Sequence, residues 1–144
     1  KKFLLFIVTN QSGIAKGIVT SKQVDEVNDF ILNKLKSEGI NISALYSCPH
    51  HRNDNCKCHK PKTMFAELAS KDFEIDLKKS YMIGDHPADV EFALNIGAKG
   101  IYVLTGHGKK HYAEIKMMDY YDKINVFQSL KTAIKYFSTS EFAR

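Results

Sequence analysis

Between Cys48 and Lys62 the chain reads CPHHRNDNCKCHKPK, a stretch that holds all three cysteines and three of the six histidines. Cys48, His50, Cys56 and Cys58 fall in it with the spacing C-x-H-x5-C-x-C. Three thiolates and one imidazole form a tetrahedral donor set for zinc, because soft sulfur ligands favour zinc over hard cations. A Cys56–Cys58 disulfide would close a very small, strained ring and leave Cys48 unpaired. Zinc with four protein ligands keeps no open position, so its expected task is to organise the loop and not to react. His51 and His59 are the alternative imidazoles for the place of His50.

A second set of residues suits a hard cation beside an anion. Thr9 and Asn10 offer a hydroxyl and a carboxamide, and SGIAKG, from Ser12 to Gly17, frees backbone amides to approach an anion. Lys60 adds a positive charge next to Pro61. Gly84 allows a sharp turn that lets Asp85 and Asp89 reach the same edge. A carboxylate would take Mg²⁺, while the lysine and amides would take phosphoryl oxygens. Singly, each has a plainer reading: Thr-Asn as a turn, Asp85 as a helix cap, Lys60 as a surface charge. Their joint occurrence just after predicted strands favours the chemical reading.

Those strands alternate with helices. FLLFIVT (3–9) reads as a strand buried on both faces, ISALYS (42–47) as a second, SYMIG (80–84) as a third and GIYVL (100–104) as a fourth. Ser21 precedes a helical face of Val24, Val27, Ile31 and Leu35 that Gly39 should end. Thr63 is placed to cap a helix carrying Met64, Leu68 and Ala69. Pro87 suits the first turn of a helix stopped at Gly97, and SLKTAIKYF (129–137) is a closing helix. The pattern predicts an α/β fold: a doubly wound, mostly parallel sheet with helices on both faces, in one domain over 1–144. Ligands collect at the carboxyl ends of such strands, where Thr9, Cys48, Asp85 and the Thr105–Gly108 stretch all fall.

Composition narrows the partners. The chain has 144 residues, 44% of them hydrophobic, and a formal charge of +5, which favours anionic ligands. The lysines are scattered, with no basic stripe interleaved with aromatics, so nucleic acid is not expected. No apolar run is long enough for a membrane span, and KKFLLFIVTNQSG lacks the small-residue cleavage site of a signal peptide. Three cysteines cannot all pair, which points to the cytoplasm. KYFSTSEFAR (135–144) reads as a fraying terminus.

VTNQSGIAKG, CPHH…CKCHKP and YMIGDHPADV, in that order, resemble the haloacid dehalogenase (HAD) superfamily of Mg²⁺-dependent phosphatases. They look most like its zinc-loop branch, which acts on heptose bisphosphate or histidinol phosphate. The resemblance implies a HAD-like Rossmannoid fold with no large cap, a monomer, and a small phosphorylated sugar or alcohol as substrate. It implies that Thr9 binds the transferring phosphoryl group and Asn10 contacts substrate. Lys60 would steady nucleophile and phosphate, Asp85 would bind Mg²⁺, and Asp89 would orient the loop around it. The family has arginine before the motif lysine as a substrate contact, and here that residue is His59. The family's first motif, D-x-D-G-T, supplies the nucleophile, and no stretch of this sequence matches it; Asp119 in MMDYYDKI lacks the following Gly-Thr. The expectation is a further strand-and-helix unit before Lys1, whose aspartate forms the aspartyl-phosphate, and an inactive chain without it. Two other readings stay open: a non-catalytic phosphate- or metal-binding module, and a nucleic-acid 3′-end phosphatase.

Overall fold

The computed structural model of the chain describes residues 3–140, and these divide into two compact units, Lys1–His59 and Lys60–Arg144. The first unit is a β-α-β crossover followed by the cysteine-rich loop. Strand β1 (Leu5–Asn10) pairs in parallel with β2 (Ile42–Cys48), and helix α1 (Ser21–Ser37) joins them. Thr20, and not Ser21, caps the helix. Thr20 accepts from the Gln23 backbone amide, and the Gln23 side chain accepts from the Thr20 amide, a reciprocal cap. Gly39, with φ of 77°, takes the left-handed conformation that stops the helix, and Lys34 and Lys36 complement its last turn.

The second unit is a three-stranded parallel sheet in the order β3-β4-β5, built from Tyr81–Gly84, Lys99–Val103 and Ile124–Phe127. Alternation along β4 divides its core. Tyr102 packs on one face with Val90 of α3 (Pro87–Asn95) and Ile115 of α4 (Gly108–Lys116), all fully buried. Ile101 and Val103 pack on the other face with Ala133 of α5 (Leu130–Ser140). Helices therefore cover both faces of this sheet, as in a doubly wound fold. Helix α2 (Met64–Phe73) precedes β3. No helix among the described residues is long and apolar enough to cross a membrane.

The α/β class, the parallel pairing and the four expected strands are present. Among the described residues the strands pair as β1-β2 in the first unit and β3-β4-β5 in the second. Strand β1, expected to be buried on both faces, has Leu5 exposed and the rest half-buried, and among the described residues it pairs with β2 alone. The expected apolar face of α1 buries Val24 alone; Val27 is 57% exposed and Ile31 40%. A period of 3.6 residues identifies a helix, but burial needs a surface to receive each apolar side chain. Thr63 stands at the start of α2 without capping it, since its hydroxyl turns to the Glu67 carboxylate. Helix α4 and strand β5 were not anticipated. The closing helix extends to Ser140; residues 141–144 of the expected fraying terminus, and Lys1 and Lys2 of the opening run, lie outside the described residues.

Candidate metal centre and phosphate-binding residues

The parallel register of the first unit sets Thr9 opposite Ser47 and Asn10 opposite Cys48. Two loops thus leave one edge side by side, and hydrogen bonds join them. The Gln11 amide donates to the Cys48 carbonyl at 2.7 Å and the Ala15 amide to the Pro49 carbonyl at 3.2 Å. Ser12 Oγ donates to the His50 carbonyl at 3.0 Å. Thr9 Oγ1 accepts from Gln11 Nε2 at 3.2 Å.

Cys48, His50, Cys56 and Cys58 converge, with their ligand atoms all within 4.8 Å of one another. Cys48 Sγ lies 2.9 Å from Cys58 Sγ and 3.9 Å from Cys56 Sγ, and His50 Nδ1 lies 3.2 Å from Cys58 Sγ. The edge of a tetrahedron with Zn–S bonds of about 2.3 Å is about 3.8 Å; the Cys48–Cys56 separation matches it, while Cys48 and Cys58 stand closer than a shared zinc would hold them. None of the three cysteines is in a disulfide. Burial, followed by the Cys58 thiol, pushes Cys48 up to about 12. A sulfur so hard to ionise among other sulfurs is the environment that a divalent cation relieves. The other two histidines of the loop are engaged elsewhere. His51 Nδ1 accepts from the Asn53 amide at 3.2 Å, and the His59 ring bonds Asn10 and Ser12.

In the second unit the predicted acids sit where β3 turns into α3. Asp85 follows the last residue of β3 and is half-buried, and its Oδ2 accepts from the His107 amide at 2.7 Å. That bond fastens the carboxylate to the loop after β4. Asp89 is 6% exposed and Lys60 7%, and they form an ion pair of 2.7 Å. The second Asp89 oxygen accepts from the His86 amide at 3.0 Å, closing a cap at the start of α3 where Pro87 occupies the first turn. Neither Asp89 oxygen lacks a donor, so the residue acts as a brace between Lys60 and the helix start.

Gly84 makes that brace possible. A Cβ at this position would coincide with the Asp89 carboxylate. Gly84→Ala should therefore displace Asp89 and cost on the order of 3 kcal/mol, readable as a lower urea midpoint at unchanged slope. Sequence reasoning missed both the Lys60–Asp89 pair and the contacts of His59. The partners are 29 and 49 residues apart, and periodicity carries no signal at such separations.

Comparison with known proteins agrees with this arrangement. The family model for HAD-hydrolase-like proteins matches residues 57–132. The chain is 47% identical over 96 residues to a probable D-glycero-D-manno-heptose-1,7-bisphosphate 7-phosphatase of Thermoplasma volcanium, covering 65% of each chain. It is 32% identical over 141 residues to the D-glycero-alpha-D-manno-heptose-1,7-bisphosphate 7-phosphatase of Campylobacter jejuni, covering 98% of this chain and 75% of that one. The solved D,D-heptose 1,7-bisphosphate phosphatase from B. bronchiseptica, complexed with magnesium and phosphate, superposes with a TM-score of 0.83 at 25% identity. The superposition covers 94% of this chain and 74% of that one. The chain thus spans somewhat under two thirds of the Thermoplasma relative and about three quarters of the other two. A parallel α/β architecture, acids at the carboxyl end of β3, a buried lysine beside them and sequence likeness along nearly the whole length converge on one conclusion: the chain belongs to the HAD-like hydrolases.

Proposed function

We propose that this chain carries the phosphate- and metal-binding part of a Mg²⁺-dependent phosphomonoesterase for a small sugar or alcohol phosphate. The observation that carries this reading is the β3–α3 junction, where a half-buried Asp85 is pinned by the His107 amide beside the buried Lys60–Asp89 pair. Asp85 is the hard oxygen donor suited to Mg²⁺, which when bound supplies charge against the developing phosphoryl negative charge. Thr9 and Asn10 serve as neutral donors to phosphoryl oxygens, and Lys60 offsets their charge. The attacking carboxylate comes from sequence outside these 144 residues, and the substrate is of the heptose bisphosphate or histidinol phosphate kind. The test is titration of the full chain with inorganic phosphate, with and without Mg²⁺. Saturable binding strengthened by Mg²⁺ is expected, and Asp85→Asn should abolish the strengthening. An Asp85→Asn protein with undiminished Mg²⁺ dependence would remove that residue from the site.

The Cys48, His50, Cys56 and Cys58 group is assigned to zinc in a structural role. Protein purified without chelator should contain about one equivalent of zinc by elemental analysis. Cys56→Ser should lower zinc affinity by roughly 100-fold or more, since even outer contacts of a zinc site are worth ten- to a hundredfold. Metal-free protein of unchanged thermal stability would contradict the structural role.

A further inference from the structure

His59 stands where a charged substrate contact was expected, and its hydrogen bonds give it a different task. A backbone carbonyl only accepts, so the Ser12 hydroxyl spends its proton on the His50 carbonyl 3.0 Å away. Ser12 Oγ is also 3.1 Å from His59 Nε2, and having given its proton it accepts there. Nε2 therefore carries the ring N–H. Nδ1 is then the bare acceptor, and the donor facing it at 3.2 Å is the Asn10 amide nitrogen. In the neutral ring these bonds run in one sense, from the His50 carbonyl through Ser12 and the imidazole to Asn10.

We propose that His59 is a positioning residue, held as its Nε2–H tautomer, which orients the Asn10 carboxamide and does not itself bind the substrate anion. In that tautomer its N–H faces Ser12 Oγ at 3.1 Å, turned to the protein and not to a phosphate. Arginine at this position would bring charge and five donors, but no acceptor for Asn10. The proposal rests on the reading in which Asn10 contacts the phosphorylated substrate.

Two measurements on the full, zinc-loaded chain test it. Ring ¹⁵N–¹H correlation spectra of His59, taken without any anion, should show the Nε2–H pattern, and Ser12→Ala should mix in the Nδ1–H form. An Nδ1–H ring in the unsubstituted protein would overturn the proposal. Titration with inorganic phosphate should show about fivefold weaker binding for both His59→Ala and His59→Arg, the loss of one net hydrogen bond's worth of ordering. Tighter binding by His59→Arg would show that position 59 acts on the anion directly, and the proposal would fail. Asn10→Ala should weaken phosphate binding at least as much. If it does not, the assignment of Asn10 to the phosphate site fails, a result distinguishable from failure of the relay because the ring spectrum is read without phosphate.

Discussion

The 144-residue chain, supplied with Mg²⁺ and zinc, should release no phosphate from heptose bisphosphate, histidinol phosphate or an aryl phosphate, yet bind inorganic phosphate saturably. Covalent phosphoryl transfer in this mechanism requires a carboxylate in line with the leaving oxygen, unencumbered at the moment of attack. The structure removes the nearest candidates. Asp89 has one oxygen on Lys60 at 2.7 Å and the other on the His86 amide at 3.0 Å. Asp85 has its Oδ2 on the His107 amide and is the residue proposed for Mg²⁺. No Asp-x-Asp-Gly-Thr stretch occurs anywhere in the sequence. Holding an anion asks only for donors and positive charge, the roles proposed for Thr9, Asn10 and Lys60. A phosphate-release assay with a sensitive dye, paired with calorimetric phosphate titration, gives both readings on one sample. Mg²⁺-dependent turnover by this chain would mean that one of its own acids is the nucleophile. Co-expression with a segment bearing the motif should restore turnover by several orders of magnitude, since each missing catalytic group of a concerted set costs nearly the whole acceleration.

Lys60→Met should destabilise the second unit by about 3–5 kcal/mol, because it leaves the Asp89 carboxylate buried beside an apolar side chain. Both partners are more than nine-tenths buried, so solvent cannot repair the break. The companion variant Lys60→Met/Asp89→Leu should recover most of that loss, since two apolar side chains of similar volume need no counter-charge. Denaturation of the four proteins of this cycle yields the coupling between the partners. A Lys60→Met protein as stable as the parent would show that the pair contributes nothing to folding, and would leave Lys60 a role toward phosphate alone. Phosphate affinity separates the two roles, because the double variant regains stability but not the positive charge.

What could be read from the sequence was whatever the chain repeats or concentrates locally. Four thiol and imidazole ligands within eleven residues announce a metal site by type and spacing, and the structure gathers the same four. The strand-end placement of Asn10 and Cys48 in the first unit, and of Asp85 in the second, followed from the alternation of strands and helices, because each falls at the carboxyl end of a parallel strand of its own sheet. Helix α4 was illegible for a physical reason. GKKHYAEIK carries few apolar residues, and what holds it is Ile115 packing against Val90 of α3 and Tyr102 of β4. Strand β5 has only four residues, and its pairing with β4 gives INVF its extended form. The hydrogen bonds of His59 and the burial of Lys60 depend on which residues fold against them. A lysine beside a proline looks like a surface charge until an aspartate 29 positions away fills the space left by a glycine.

That glycine also restricts how the sequence can drift. Position 84 must stay without a side chain while an acid occupies position 89, since the acid's carboxylate stands where a Cβ would go. Position 89 must stay acidic while position 60 is a buried lysine. The three therefore behave as one inherited unit, and a lineage that leaves the combination by single substitutions crosses a poorly folded intermediate at each step. A homologue with alanine at position 84 should then carry a shorter or uncharged residue at position 89 and no buried cation at position 60. In a collection of natural variants, the three positions should change together or not at all.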